Sequence, residues 1–149
     1  MLMLLFRVKD ETWALPTAEI KELISLVTLQ SCSYSKNSVS GLLNYHGEYL
    51  PVIDVSNVIA QQRATHAFST RIAVVDIEAD SSNSTTAASV FRLGLILEKA
   101  YEISYLTQSA DLSSQKSMTA PLVHSVFQGA EGVVQRLSTS ALLSQVGIY

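Results

Sequence analysis

Apolar residues in this chain gather in runs of strand length, each closed by turn-forming or polar residues, and that spacing limits what it can fold into. Leu4 to Val8 is followed by Lys9-Asp10-Glu11 and then by Thr12-Trp13-Ala14-Leu15, the pattern of a hairpin. Pro16 ends the second run, because proline cannot donate to a sheet ladder. Thr17 then reads as a helix N-cap with Glu19 in the first turn, and Ile20, Leu23, Ile24 and Val27 fall at helical spacing. A short helix is expected there, turning back into a strand over the β-branched stretch from Ile24 to Leu29.

After a mostly polar connection from Ser31 to Ser40, two apolar runs flank Gly47 and predict a second hairpin, Gly41–His46 with Tyr49–Val55. Pro51 puts its strand at a sheet edge or a bulge. Asp54 to Asn57 supplies caps for a brief turn over Val58 and Ile59, and Gln61 to Ser69 is largely polar. Arg71 to Ile77 predicts a mostly buried strand, and Ala79 to Ser89 a flexible loop. Phe91–Leu97 and Tyr101–Leu106 read as two further strands, and Gln108–Ala120 as a polar loop. Leu122–Gln128 and Val133–Leu137 pair across a tight turn at residues 129–132. Ser138 then caps a closing helix through Ala141, Leu142 and Leu143. Nine or ten short strands with two or three short helices point to small β-barrels. A parallel doubly wound sheet would need strands alternating regularly with long helices.

At 149 residues, the chain is long enough to hold a core without a disulfide or metal. A hydrophobic fraction of 48% with 15% charged residues excludes a disordered, charge-driven chain. The ten Lys and Arg residues are scattered and outnumbered by thirteen Asp and Glu, so nucleic-acid binding is not expected. The lone Cys32 excludes an internal disulfide and fits a reducing compartment. MLMLLF is cut off by Arg7, too short for a signal peptide or a membrane span, which predicts a cytoplasmic protein with no direct membrane insertion.

Catalytic signatures are scarce. No glycine pattern offers a phosphate cradle, and no G-x-S-x-G elbow occurs. His46, His66 and His124 lack partners at metal-ligand spacing, so neither a metal nor a cofactor is expected. The carboxylate pairs Asp10/Glu11, Asp76/Glu78 and Glu98/Glu102 read as turn or edge residues. An enzyme reading rests on Cys32, which has no local base to activate its thiol, or on one of those pairs. The balance favours a non-catalytic binding module.

VSGLLNYHGEYLPVIDV, Val39 to Val55, is the most specific segment. It resembles the signature of the CheW-like family, the coupling proteins of bacterial chemosensory arrays: G-(hydrophobic)-x-N-x-R-G-x-x-x-P-(V/I)-(I/V)-D. Gly41, Asn44, Gly47, Pro51, Val52, Ile53 and Asp54 match it in register. FRVKDETWALPTAEIKEL, RIAVVDIE, FRLGLILEKAYEISYL and APLVHSVFQGAEGVVQRLSTSALL resemble the family's remaining elements in order, so the likeness takes up residues 1–149 as one unit.

That resemblance implies a mainly β fold of two small five-stranded SH3-like β-barrels around a shared core. It implies a non-catalytic adaptor joining the regulatory domain of a CheA-type histidine kinase to the cytoplasmic hairpin of a methyl-accepting chemoreceptor. Such an adaptor is brought near the membrane only through receptor complexes. The receptor hairpin is expected in an apolar groove where the barrels meet. Partner contacts carry over onto Ile20, Leu23, Leu29, Gly41, Ala100 and Ile103, with Ala100 smaller than the usual valine. His46 departs from the family's arginine, exchanging a fixed cation for a ring that is mostly neutral near pH 7. Asn44 is expected to hold the hairpin turn and Asp54 to cap the next one. LLFRV and APLVHSV look similar to couplers of surface-sensing or pilus pathways. A decoy that competes for the kinase is the remaining alternative on the same fold.

Overall fold

The computed structural model describes residues 1–33, 39–78, 90–107 and 121–147. The predicted loops over 79–89 and 108–120 lie outside these, as does the middle of the 31–40 connection. Nine strands are ordered β1 (Leu2–Val8), β2 (Glu11–Pro16), β3 (Ile20–Ser25), β4 (Val39–Tyr45), β5 (Glu48–Asp54), β6 (Arg71–Glu78), β7 (Val90–Tyr105), β8 (Val123–Gly129) and β9 (Gly132–Leu137). Two helices, α1 (Val55–Ala60) and α2 (Thr139–Val146), complete the described elements with one 3-10 turn.

Both expected hairpins form, β1 with β2 and β4 with β5. His46 and Gly47 both take positive φ, +50° and +83°, the geometry that lets a two-residue turn follow the twist of its strands. Asn44 Oδ1 accepts from the Gly47 N–H at 3.1 Å and holds that turn. Pro51 stands opposite Leu42, one residue before β5 gains a second neighbour at Val52. Its missing N–H therefore falls where only β4 flanks the strand.

The expected helix after Pro16 is a correction. Only Thr17–Glu19 turns, as one 3-10 turn without a side-chain cap, and the chain is already extended at Ile20. Ile20 and Leu23 therefore lie on β3, which pairs antiparallel with β6. The strand expected over Ile24–Leu29 ends at Ser25, and beyond it Gln30 alone bridges to Leu42. Lys21 and Glu22 project on the exposed side, so the same residues satisfy a sheet edge and a helical wheel; the partner strand decides between them.

The second correction concerns 91–106. The two expected strands are one strand of sixteen residues. Its first half pairs with β6 from Val90 to Leu97 and, in parallel, with β5. Its second half pairs with β1 up to Tyr105. Between them the ladder slips: Arg7 faces Glu98, but Leu5 faces Glu102. Lys99 adopts φ +50° inside this bulge, and the Ala100 N–H turns away to Ser69 O at 2.9 Å.

Two five-stranded lobes result, β3-β6-β7-β5-β4 and β7-β1-β2-β9-β8, with β7 common to both. This is the expected pair of SH3-like barrels, although the pairing does not run unbroken around either lobe among the described residues. In the first, reciprocal bonds between Gln30 and Leu42, 2.9 and 2.8 Å, draw the two edges together.

Alternation along the strands explains the shared core. On β6, Ile72 and Val74 face the first lobe's interior with Leu43, Leu50, Val52 and Ile96. Ala73, Val75 and Ile77 face the other way, into a larger cluster with Phe6, Trp13, Leu15, Leu93, Leu142 and Val146. The second lobe has its own interior around Met3, Ala14 and Phe127. Each large side chain enclosed in this way contributes about 1.5–3 kcal/mol.

Gly41 packs against Leu29 where the lobe edges meet. A Cβ there would stand 2.8 Å from Leu29 Cβ and 2.9 Å from Gln30 O. Gly41→Ala is expected to lower stability by about 1–3 kcal/mol through displacement of the Gln30–Leu42 bridge. A thermal midpoint equal to that of the unsubstituted chain would show that the bridge does not close the lobe.

Candidate functional site

The partner-contact residues singled out from the sequence separate into four places. Ile20 and Leu23 are half-buried and pack against the shared core from β3. Ala100 joins that core from the β7 bulge with none of its surface exposed, so its side chain offers a partner nothing. That corrects the expectation of a contact at Ala100; its small size serves the close packing of the bulge. Leu29 and Gly41 touch each other at the edge of the first lobe.

Ile103 lies opposite Leu4 on the shared-core face of the second lobe, yet is 60% exposed. Tyr105, two residues on, stands on the same face of β7 and pairs with Leu2. All are exposed, so the core face of β1 and β7 runs out into solvent as an apolar stripe. The Leu2 carbonyl accepts from Thr17 Oγ1 at 3.4 Å, which brings the stripe's end beside the turn leading to Ile20. Leu2 and Tyr105 were missed by sequence reasoning, because an apolar residue alternating with polar Glu102 and Ser104 reads as the buried face of a strand.

His46 stands apart, exposed on the β4–β5 turn. Its Nε2 is 4.0 Å from Glu22 Oε2, and its ring meets Tyr45 edge-on at 4.4 Å. Tyr45 Oη donates to the same Glu22 oxygen at 2.5 Å, which holds the phenol above its ordinary range. On the neighbouring strands Arg92 grips Asp76 with two bonds, 2.7 and 3.3 Å, and lies 3.8 Å from Glu48. The hydrogen bond from Arg92 holds the Asp76 carboxyl below its usual range. Side chains from β3, β4, β5, β6 and β7 thus contribute to this end of the first lobe, with Tyr45–Glu22 linking two strands that share no ladder.

Asp54 behaves as expected and does more. It caps α1 by accepting from the Asn57 N–H at 3.4 Å, while its other oxygen accepts from the buried Ala64 N–H at 2.8 Å. Ser138 likewise caps α2 at the Ala141 N–H. The carboxylate pairs divide among separate structural bonds: Glu11 accepts from Gln135, Asp76 from Arg92, and Glu98 from the Thr65 N–H at 2.7 Å. The histidines sit on three different elements, and Cys32 is partly exposed in a fourth. Among the described residues no three His, Cys, Asp or Glu side chains gather closely enough to hold a metal ion. No helix there is long and apolar enough to cross a membrane.

Glu19, read from the sequence as a first-turn helix carboxylate, instead lies in the 3-10 turn between the lobes. Its Oε1 accepts from Thr139 Oγ1 at 3.4 Å and lies 3.9 Å from Arg136, while its buried Oε2 has no partner.

The described residues thus define the class of two-lobed β folds built on one shared strand, with the shared-core face emerging as an apolar stripe. The family that fits is specific: the sequence model of the CheW-like domain matches residues 2–147, and the chain belongs to that family. The crystal structure of scaffolding protein TtCheW from Thermoanaerobacter tengcongensis superposes with a TM-score of 0.72 at 15% identity, over 95% of this chain and 86% of that one. No curated protein matches the chain.

Burial raises the Glu19 carboxyl above its ordinary 4.5, only partly offset by Arg136. A proton is then held more tightly in the folded chain than in the unfolded one. Glu19's contribution to stability is complete below 4.5 and fades as pH rises through the raised value. Glu19→Gln, measured by thermal unfolding between pH 4 and pH 7, is expected to gain on the unsubstituted chain as pH rises, by no more than about 1 kcal/mol. The opposite trend would mean that the Arg136 pairing outweighs burial.

Proposed function

We propose that this chain is a non-catalytic adaptor of chemosensory signalling that joins a CheA-type histidine kinase to the cytoplasmic hairpin of a chemoreceptor. The observation that carries the reading is membership of the CheW-like family over residues 2–147. Physical support comes from the stripe of Ile103, Tyr105 and Leu2 beside half-buried Ile20 and Leu23. An amphipathic helix laid there would cover apolar surface that folding leaves wet. The turn bearing His46 presents a second surface, on the far side of β3, for the kinase's regulatory domain. An interface of standard size buries about 1,200–2,000 Å² in total, and single weak contacts are multiplied when many copies are held in one array. On this reading residues 1–149 act as one unit of two lobes, working in the cytoplasm and near the membrane only through the receptor.

The test is co-sedimentation with receptor hairpin fragments and the kinase. The chain is expected in the pellet with both. Ile103→Asp is expected to weaken receptor capture tenfold or more while leaving the thermal midpoint within about 1 kcal/mol of its original stability, because Ile103 is already mostly exposed. His46→Arg is expected to change kinase capture alone. A chain left in the supernatant by both partners would overturn the adaptor reading. Lowered kinase activity on adding a bound chain would replace it with the decoy.

A further inference from the structure

The second lobe runs from β7 to β8, and among the described residues no ladder joins those two edges. Between residues 99–106 on one side and the 129–134 turn on the other lies a cavity of about 350 Å³. Its floor is the lobe's own interior, reached at Leu5, Leu106 and Val134. Small-molecule pockets start at about this size, and an apolar floor with a few polar groups at its edge is how they are built.

Four charged side chains line this cavity: Arg7 and Lys99, Glu102 and Glu131. Register places three of them. Arg7 lies across from Glu98, next to the bulge at Lys99. Glu102 lies across from Leu5, two residues from Arg7 and on the same face of the sheet. The ion pairs of the described residues all lie elsewhere, so these four charges are uncompensated within the chain. Glu98 is already engaged by the Thr65 N–H. Arg7 donates from Nη1 to Thr12 Oγ1 at 3.3 Å, and its enclosed Nε–H has no acceptor. A guanidinium has five donors, so most of this fork is uncommitted.

A bare anion in the cavity would meet Glu102 and Glu131, and a bare cation would meet Arg7 and Lys99; each is rejected by two like charges. A small body carrying both signs, with an apolar part, matches all four groups and the floor together. We propose that the open side of the second lobe binds a free α-amino acid with an apolar side chain. Its carboxylate lies on the Arg7 fork beside Lys99, its ammonium between Glu102 and Glu131, and its side chain on Leu5, Leu106 and Val134. Alternation puts Glu102 and Ser104 of this site on the opposite face of β7 from Ile103 and Tyr105, so it is separate from the apolar stripe. The proposal goes beyond the adaptor reading and stands without it.

The experiment titrates the full chain with L-leucine, L-valine and L-methionine by calorimetry and follows its thermal midpoint. Saturable binding of at least one is expected, with a raised midpoint, because a ligand held only by the folded chain stabilises it. The tightest binder's deaminated acid and decarboxylated amine are each expected to bind at least tenfold more weakly. Glu102→Gln, at an exposed position, is expected to leave the ligand-free midpoint unchanged and to weaken binding at least tenfold. Glu78→Gln, exposed on the first lobe, is expected to leave binding unchanged. No binding and no midpoint shift with all three amino acids overturns the proposal. So does equal binding of either fragment, or binding undiminished in Glu102→Gln. None of these results touches the adaptor reading, which co-sedimentation tests separately.

Discussion

Everything in the molecule hangs on β7. One sixteen-residue strand is a wall of both lobes, so the lobes cannot be placed independently of each other. Its bulge at Lys99 and Ala100 falls between the stretch paired with β6 and the stretch paired with β1. Ala100 fills the shared core, its N–H is taken by Ser69, and Glu98 reaches back to Thr65. A bulge bends a strand and leaves a backbone group without its ladder partner. Here the 63–70 loop supplies that partner.

Short-range signals were legible. Hairpins announced themselves through turn residues between apolar runs, and Asn44, Asp54 and Ser138 do what their side-chain chemistry allows at short range. The Val39–Val55 segment identified the family because its constraints are local: a positive-φ turn at His46-Gly47, a proline placed before β5 gains its second neighbour, and a cap. What failed depended on distant partners. Ile20 to Ser25 satisfies helical spacing equally well, and only pairing with β6, about fifty residues away, makes it a strand. Nothing in Glu98-Lys99-Ala100 says whether the chain stops or kinks. The outcome rests on β1, β6 and the loop at Ser69.

The candidate site was legible to a lesser degree for the same reason. Ile103 and Ala100 lie three residues apart on one strand, yet one is 60% exposed and the other fully enclosed. Residue type separated them poorly, because both are apolar and both fit a buried or a contacting position. The bulge leaves both on the shared-core side, and they differ because that face runs past the end of the core at Ile103.

The two ends of the first lobe show how closure and recognition divide the surface. At the His46 end, Tyr45, Glu22, Arg92, Asp76 and Glu48 bind one another across strands, so the polar groups there are largely satisfied within the chain. At the other end, closure rests on the backbone bridge of Gln30 and Leu42, which leaves Val27, Leu29 and Phe68 facing an open cleft. A partner at the first end must exchange existing charged contacts for new ones, which favours selectivity over strength. A partner at the second end removes apolar surface from water without breaking a bond, which favours affinity. The first lobe thus carries one surface of each kind, one at each end.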